Sequence, residues 1–138
     1  MAIPSSKEAR LSHRCALARY DDALVLLNAE HNAGAVYLAG YSVECMLKAL
    51  LLTAVSAANR AESLRSFRGN RGHHFQWLRA RYFANGGPRF PPEINRCFIL
   101  VNDWSTDMRY SCKPISPAEA DGFLDAAGTI LRWAHGRI

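Results

Sequence analysis

Two adjacent histidines, His73 and His74, stand inside a run of arginines, a combination suited to binding or cleaving phosphodiesters. Without a metal, that chemistry needs one group to move the 2′-hydroxyl or leaving-group proton and a cation to stabilise charge on the phosphate. Between Arg60 and Arg89 lie seven arginines (Arg60, Arg65, Arg68, Arg71, Arg79, Arg81 and Arg89), with Glu62 the one acid. The chain's net charge of +5 is therefore concentrated there. The planar fork of arginine matches phosphate oxygens, so Arg65, Arg68 and Arg71 are candidate contacts to RNA or a nucleotide. The alternative is a solvated basic face with no ligand. His73 also has two readings: a general base beside a phosphate-contacting His74, or a cap on the helix that follows. His13, His31 and His135 read as ordinary helix-surface residues.

A second arginine of interest is Arg109, followed by Tyr110, in the irregular segment before the last helix. A loop arginine there can reach a ligand, or it can staple the loop by pairing with Asp107 or Glu44. Glu44 and Lys48 are four apart in an apolar stretch, so they share a helix face and can pair. The other enzyme templates are absent: no phosphate-binding Gly-Lys-Ser/Thr loop, no dinucleotide fingerprint, no His-Glu-x-x-His and no Gly-x-Ser-x-Gly. Asp21 and Asp22 are the only adjacent acids, and neighbours in sequence point to different parts of a helix surface. No metal site and no cofactor is expected. Cys15, Cys45, Cys97 and Cys112 show neither zinc spacing nor a disulfide framework.

These groups need elements to position them. With 138 residues, 49% hydrophobic and 21% charged, the composition fits one globular domain spanning 1–138. The first residues lack the pattern of a secretory signal, and Glu44 and Lys48 interrupt the apolar stretch 33–55. A cytoplasmic protein without a membrane span is expected. Ser5 and Glu8 have capping-box spacing, and Ala16, Tyr20, Ala23, Leu24 and Leu27 recur on one face, which predicts a first helix over about 6–30 ended by Asn32 and Gly34. A second helix over about 33–56, apolar on nearly all sides, suits the centre of a bundle. Residues 57–72 are either a frayed extension or a loop.

A shorter helix follows from His73 to about Phe83, stopped by Asn85-Gly86-Gly87-Pro88. Pro91 and Pro92 open a fourth helix with Ile94, Cys97, Phe98 and Val101 on one face. Ser116, Pro117 and Glu119 cap an amphipathic final helix. No segment alternates as a strand would. The expectation is an all-α fold, an antiparallel bundle of four long helices plus one short helix. Trp77, Trp104 and Trp133 are either core aromatics or a partner-binding surface.

Three segments resemble the HEPN domain, a small helical family of nucleotide- or RNA-binding proteins in higher eukaryotes and prokaryotes. Ala39 to Leu51 looks like the family's second helix, with Glu44-x-x-x-Lys48-Ala49-Leu50 as its core. Gly72-His73-His74-Phe75 with Leu78 is similar to the family's short His-Asp-Leu helix start, with His74 in place of the usual acid. Arg109-Tyr110 looks like the Arg-Tyr pair before the last helix. The resemblance implies a helical bundle that forms a homodimer, commonly encoded beside a minimal nucleotidyltransferase partner in toxin–antitoxin pairs. In active members it implies a metal-independent RNase with arginine, four to six residues, then histidine. Here Arg109 is followed at those distances by Pro114, Ile115 and Ser116. Three readings follow: an RNA- or nucleotide-binding protein using Arg109, Tyr110, Glu44, Lys48 and the arginine cluster; a non-catalytic protein-interaction module; or an RNase in which His73 serves Arg109.

Overall fold

The computed structural model describes residues 6–138, and among them every regular element is helical. Six α-helices form, where five were expected: α1 Lys7–Asn28, α2 Asn32–Ala54, α3 Arg60–Ser66, α4 Phe75–Ala84, α5 Pro92–Val101 and α6 Pro117–His135. Three are long, whereas α4 and α5 have ten residues each. Short 3₁₀ turns occupy Ala57–Asn59, Asn70–His73 and Thr106–Tyr110. The segment expected to be frayed or irregular thus contains α3. The expected Ser5 cap lies outside the described residues, and Ser6 caps α1 by accepting a hydrogen bond from the Ala9 N–H.

The reversal from α1 to α2 falls earlier than Asn32 and Gly34 suggest. Glu30 adopts a left-handed backbone, and the His31 N–H reaches back to the Leu26 carbonyl, so the last carbonyls of α1 are satisfied within the turn. Asn32 already belongs to α2, and its side chain donates to the Ile115 carbonyl, tying the start of α2 to the segment before α6. At that end, Ser116 accepts from the Glu119 N–H and Pro117 takes the first helical position, as expected.

α2 is the hub, packing against α1, α4 and α6, while α5 lies on α6. It is buried on most sides because its neighbours cover Val43, Met46, Leu47, Leu50 and Leu51. By length and composition α2 could cross a membrane, yet 72% of its most apolar window is buried inside the fold. α1 approaches α2 through Ala9, Ala16 and Ala23, fully buried and seven apart, where larger side chains would force the helices apart. Leu24, expected on the same face, is exposed. α6 contributes Leu124, Ile130 and Leu131, and α5 contributes Ile94, Phe98 and Val101. Of the tryptophans, Trp104 is buried, while Trp77 and Trp133 are half-buried against the core.

His13 and His135 are not ordinary surface residues. Their rings stack with centroids 4.8 Å apart, and the His13 Nε2 lies 2.7 Å from the His135 Nδ1, joining α1 to the last turn of α6. Burial, aided by the charge of His135, pushes the His13 imidazole below its ordinary value of 6.5. Below pH 6.5 the unfolded chain therefore binds the His13 proton more readily than the folded one. Stability is expected to fall as pH drops below 6.5 and to be fully present above it. His13→Gln should flatten this part of a stability profile measured by denaturant melts. An unchanged slope would refute the role of the pair.

Candidate functional site

α2 carries an unusual stripe for so apolar a helix. Tyr37, Tyr41, Glu44 and Lys48 follow one another at spacings of four, three and four, which places all four on one face. Glu44 is the node, only 3% exposed. Its Oε2 accepts from the Lys48 Nζ at 2.9 Å, and its Oε1 accepts from the His73 Nδ1 at 2.9 Å. A carboxylate can accept only from a protonated Nδ1, so the contact fixes the His73 ring and leaves Nε2 as its second polar atom. His73 is therefore held by Glu44 and is not the cap of α4; the capping position is His74, whose side chain makes no cap bond.

The approach of His73 to α2 depends on a close turn. The Gly72 N–H donates to the Gly69 carbonyl, and a Cβ at Gly72 would overlap the backbone of Phe67. The same turn places the Phe67 ring 5.1 Å from the Lys48 ammonium. Lys48 is thus shared between a buried carboxylate and an aromatic face.

Aromatic rings continue the site toward Arg109. Tyr41 meets His73 edge-on at 6.5 Å and Trp104 edge-on at 5.1 Å. The Tyr37 hydroxyl donates to the Tyr41 hydroxyl at 3.2 Å, and the Trp104 Nε1–H donates to the Tyr37 carbonyl. Burial, reinforced by the negative charge of Glu44, pushes the Tyr41 phenol up to about 12, with Arg109 pulling it partly back. Tyr41 therefore stays protonated at neutral pH and offers its O–H as a donor.

Arg109 pairs with neither Asp107 nor Glu44. Its Nε donates to the Thr106 carbonyl, and its guanidinium lies 5.3 Å from the ring of Tyr110, which is 81% exposed. With no carboxylate partner among the described residues, the charge of Arg109 is available to an anion. Arg109, Lys113 and Tyr37 line a groove of about 550 Å³ that also includes Gly34, Ile115 and Glu119. Tyr37 lines this groove and its hydroxyl bonds that of Tyr41, whose ring meets His73 edge-on, so the two tyrosines connect the groove to the Glu44–His73 contact.

The structure thus joins Glu44, Lys48 and His73 directly and sets Arg109 beyond Tyr41. Arg65, Arg68 and Arg71 lie exposed on α3 and the turn before His73, with no ion pair among the described residues. Sequence reasoning missed Tyr37 and Tyr41, although the face they share with Glu44 and Lys48 is readable from spacing, and it read Trp104 as a core or surface aromatic without linking it to them. No group of three or more metal-ligating side chains occurs among the described residues.

The family model of the HEPN domain matches residues 9–137, nearly the whole chain. The chain belongs to the HEPN family. HEPN domains are a helical, nucleotide-binding and RNase-like family; of the residues carrying the resemblance, Glu44, Lys48 and His73 meet directly, while Arg109, with Tyr110 beside it, lines the neighbouring groove. No curated protein and no solved structure matches the chain significantly.

Proposed function

We propose that this HEPN protein binds RNA or a nucleotide, with a phosphate at Arg109 and a base against Tyr110, and that its longer helices form an antiparallel bundle. The supporting observation is Arg109 itself: its Nε is occupied by a backbone carbonyl, its charge is unpaired, and it opens onto a groove with Lys113. A guanidinium held in this way is preorganised for an anion. The reading includes the homodimer and nucleotidyltransferase partner that the family resemblance implies, and the cytoplasmic location expected from the sequence.

Retention of a mixed RNA in EDTA tests the proposal. Arg109→Ala is expected to weaken binding about fivefold to tenfold and to reduce the salt slope by about 1. Replacing Arg65, Arg68 and Arg71 together by alanine should lower the slope by about 2, the share of three single-strand phosphate contacts. Unchanged affinity in the triple variant would remove the cluster from the binding surface, and unchanged affinity in Arg109→Ala would overturn the reading.

The Glu44–His73 contact favours a second reading, metal-independent RNA cleavage. Glu44 orients the imidazole and would support the positive charge it gains on accepting a 2′-hydroxyl proton. His73 here replaces the histidine missing after Arg109. Cleavage in EDTA is expected to fall at least about tenfold in both His73→Ala and Arg109→Ala. Retention without cleavage in the wild type would leave a binding protein.

A further inference from the structure

A second groove, on different elements from the Glu44–His73 face, has its own chemistry. The second half of α4, the linker 85–91 and the first turns of α5 enclose about 800 Å³. Phe83 and Phe90 form its aromatic wall, meeting edge-on with centroids 5.0 Å apart, and Phe90 stacks on the buried Phe98 at 4.9 Å. Ile99, 76% exposed, lines the groove from α5. A single exposed aliphatic side chain is ordinary, but beside a half-open aromatic wall Ile99 completes an unpartnered apolar surface.

The groove is rigid. The Gly87 N–H donates to the Tyr82 carbonyl, and a Cβ at Gly87 would press on the Tyr82 ring, so the linker lies hard against α4. The Asn95 side chain donates to the Phe90 carbonyl and ties α5 to the same linker. A partner therefore meets a preformed wall.

Charge selects the partner. Arg79 and Arg89 line the groove, no carboxylate does, and neither arginine has an ion pair among the described residues. Arg79 is held 5.8 Å from the Phe98 ring. Arginines flanking an aromatic and aliphatic patch are the composition of a protein-interface hot spot. Nucleic acid would use the arginines and stack on planar faces, but it gains little from the aliphatic Ile99. An apolar side chain buries Ile99.

We propose that the α4–α5 groove docks an acidic, apolar-anchored segment of another protein: one large aliphatic or aromatic side chain seated between Phe83 and Ile99, with carboxylates on Arg79 and Arg89. This proposal does not depend on the RNA reading, because the groove shares no residue with the Arg109 groove.

The test is fluorescence anisotropy with a labelled synthetic helical peptide of about fourteen residues, carrying leucine at spacings of three and four and glutamate at the flanking positions. Controls replace its leucines by serine or its glutamates by lysine. The protein variants are Ile99→Ser and Arg89→Glu, both at exposed positions and checked by thermal melts. Binding of the acidic apolar peptide is expected to weaken at least about fivefold in each variant and with each control peptide, and to stay unchanged in Arg109→Ala. Equal binding of the serine peptide would overturn the proposal, as would indifference to Ile99→Ser and Arg89→Glu, or no binding at all. Loss of oligo-uridine binding in these two variants, with peptide binding kept, would assign the groove to nucleic acid. Loss of self-association in Ile99→Ser, again with peptide binding kept, would assign it to a second copy of the chain.

Discussion

Lys48→Met is expected to destabilise the protein by about 3 kcal/mol, because it strands a buried carboxylate. The side chain of Glu44 is 4% exposed, and its two oxygens are served by Lys48 and His73, one each. Methionine fills the volume of the lysine stem and keeps a contact with Phe67, so the loss isolates the charge and the hydrogen bond. For a chain of this length the melting temperature should drop by roughly 10 °C. The double variant Glu44→Leu with Lys48→Met removes both members and should recover most of that loss, since apolar replacement of a whole buried pair is often close to neutral. It would also free the His73 ring, so stability and site order separate: the double variant melts near the wild type but loses the fixed imidazole. A loss below about 1 kcal/mol in Lys48→Met would mean that Glu44 is hydrated after all and that the node does not anchor His73.

The comparison between sequence and structure turns on distance along the chain. The cap of α6 was legible because Ser116, Pro117 and Glu119 are neighbours whose geometry is local. The Glu44–Lys48 pair was legible for the same reason, being one turn apart on a helix. The Glu44–His73 contact spans 29 residues and the His13–His135 stack spans 122, so no periodicity could announce either. Spacing singled out Glu44 and the arginine surroundings singled out His73, and the family resemblance carried both, without placing them together. The seven-residue α3 failed for a different reason: too short for a periodic signal, it was hidden among the arginines that mark the segment as polar. Arg109 was read either as reaching a ligand or as pairing with Asp107 or Glu44, and it makes neither ion pair but bonds a backbone carbonyl and lies over a tyrosine ring. Charge-pairing logic read from sequence has no means of seeing either partner.

Gly40→Ala is expected to cost about 2–3 kcal/mol, although it adds a single methyl to a helix, where alanine is intrinsically preferred. The helix propensity gain of about 1 kcal/mol is outweighed because a Cβ at this position would overlap the indole of Trp104. Trp104 lies in the notch that Gly40 leaves on α2, stacked on Phe75 at 5.3 Å and donating to the Tyr37 carbonyl. To make room the indole must withdraw, which breaks that hydrogen bond and removes the wall against which Tyr41 packs. The damage should therefore reach function: RNA retention should weaken in Gly40→Ala even though neither residue lines the Arg109 groove. A double-mutant cycle with Trp104→Ala checks the cause. Once the indole is gone, Gly40→Ala has nothing to strike and helix propensity should make it mildly stabilising, giving a coupling energy of about 2 kcal/mol or more. Additive costs in the cycle would show that the glycine is required for some other reason, and that Trp104 does not carry the packing of Tyr41 into the site.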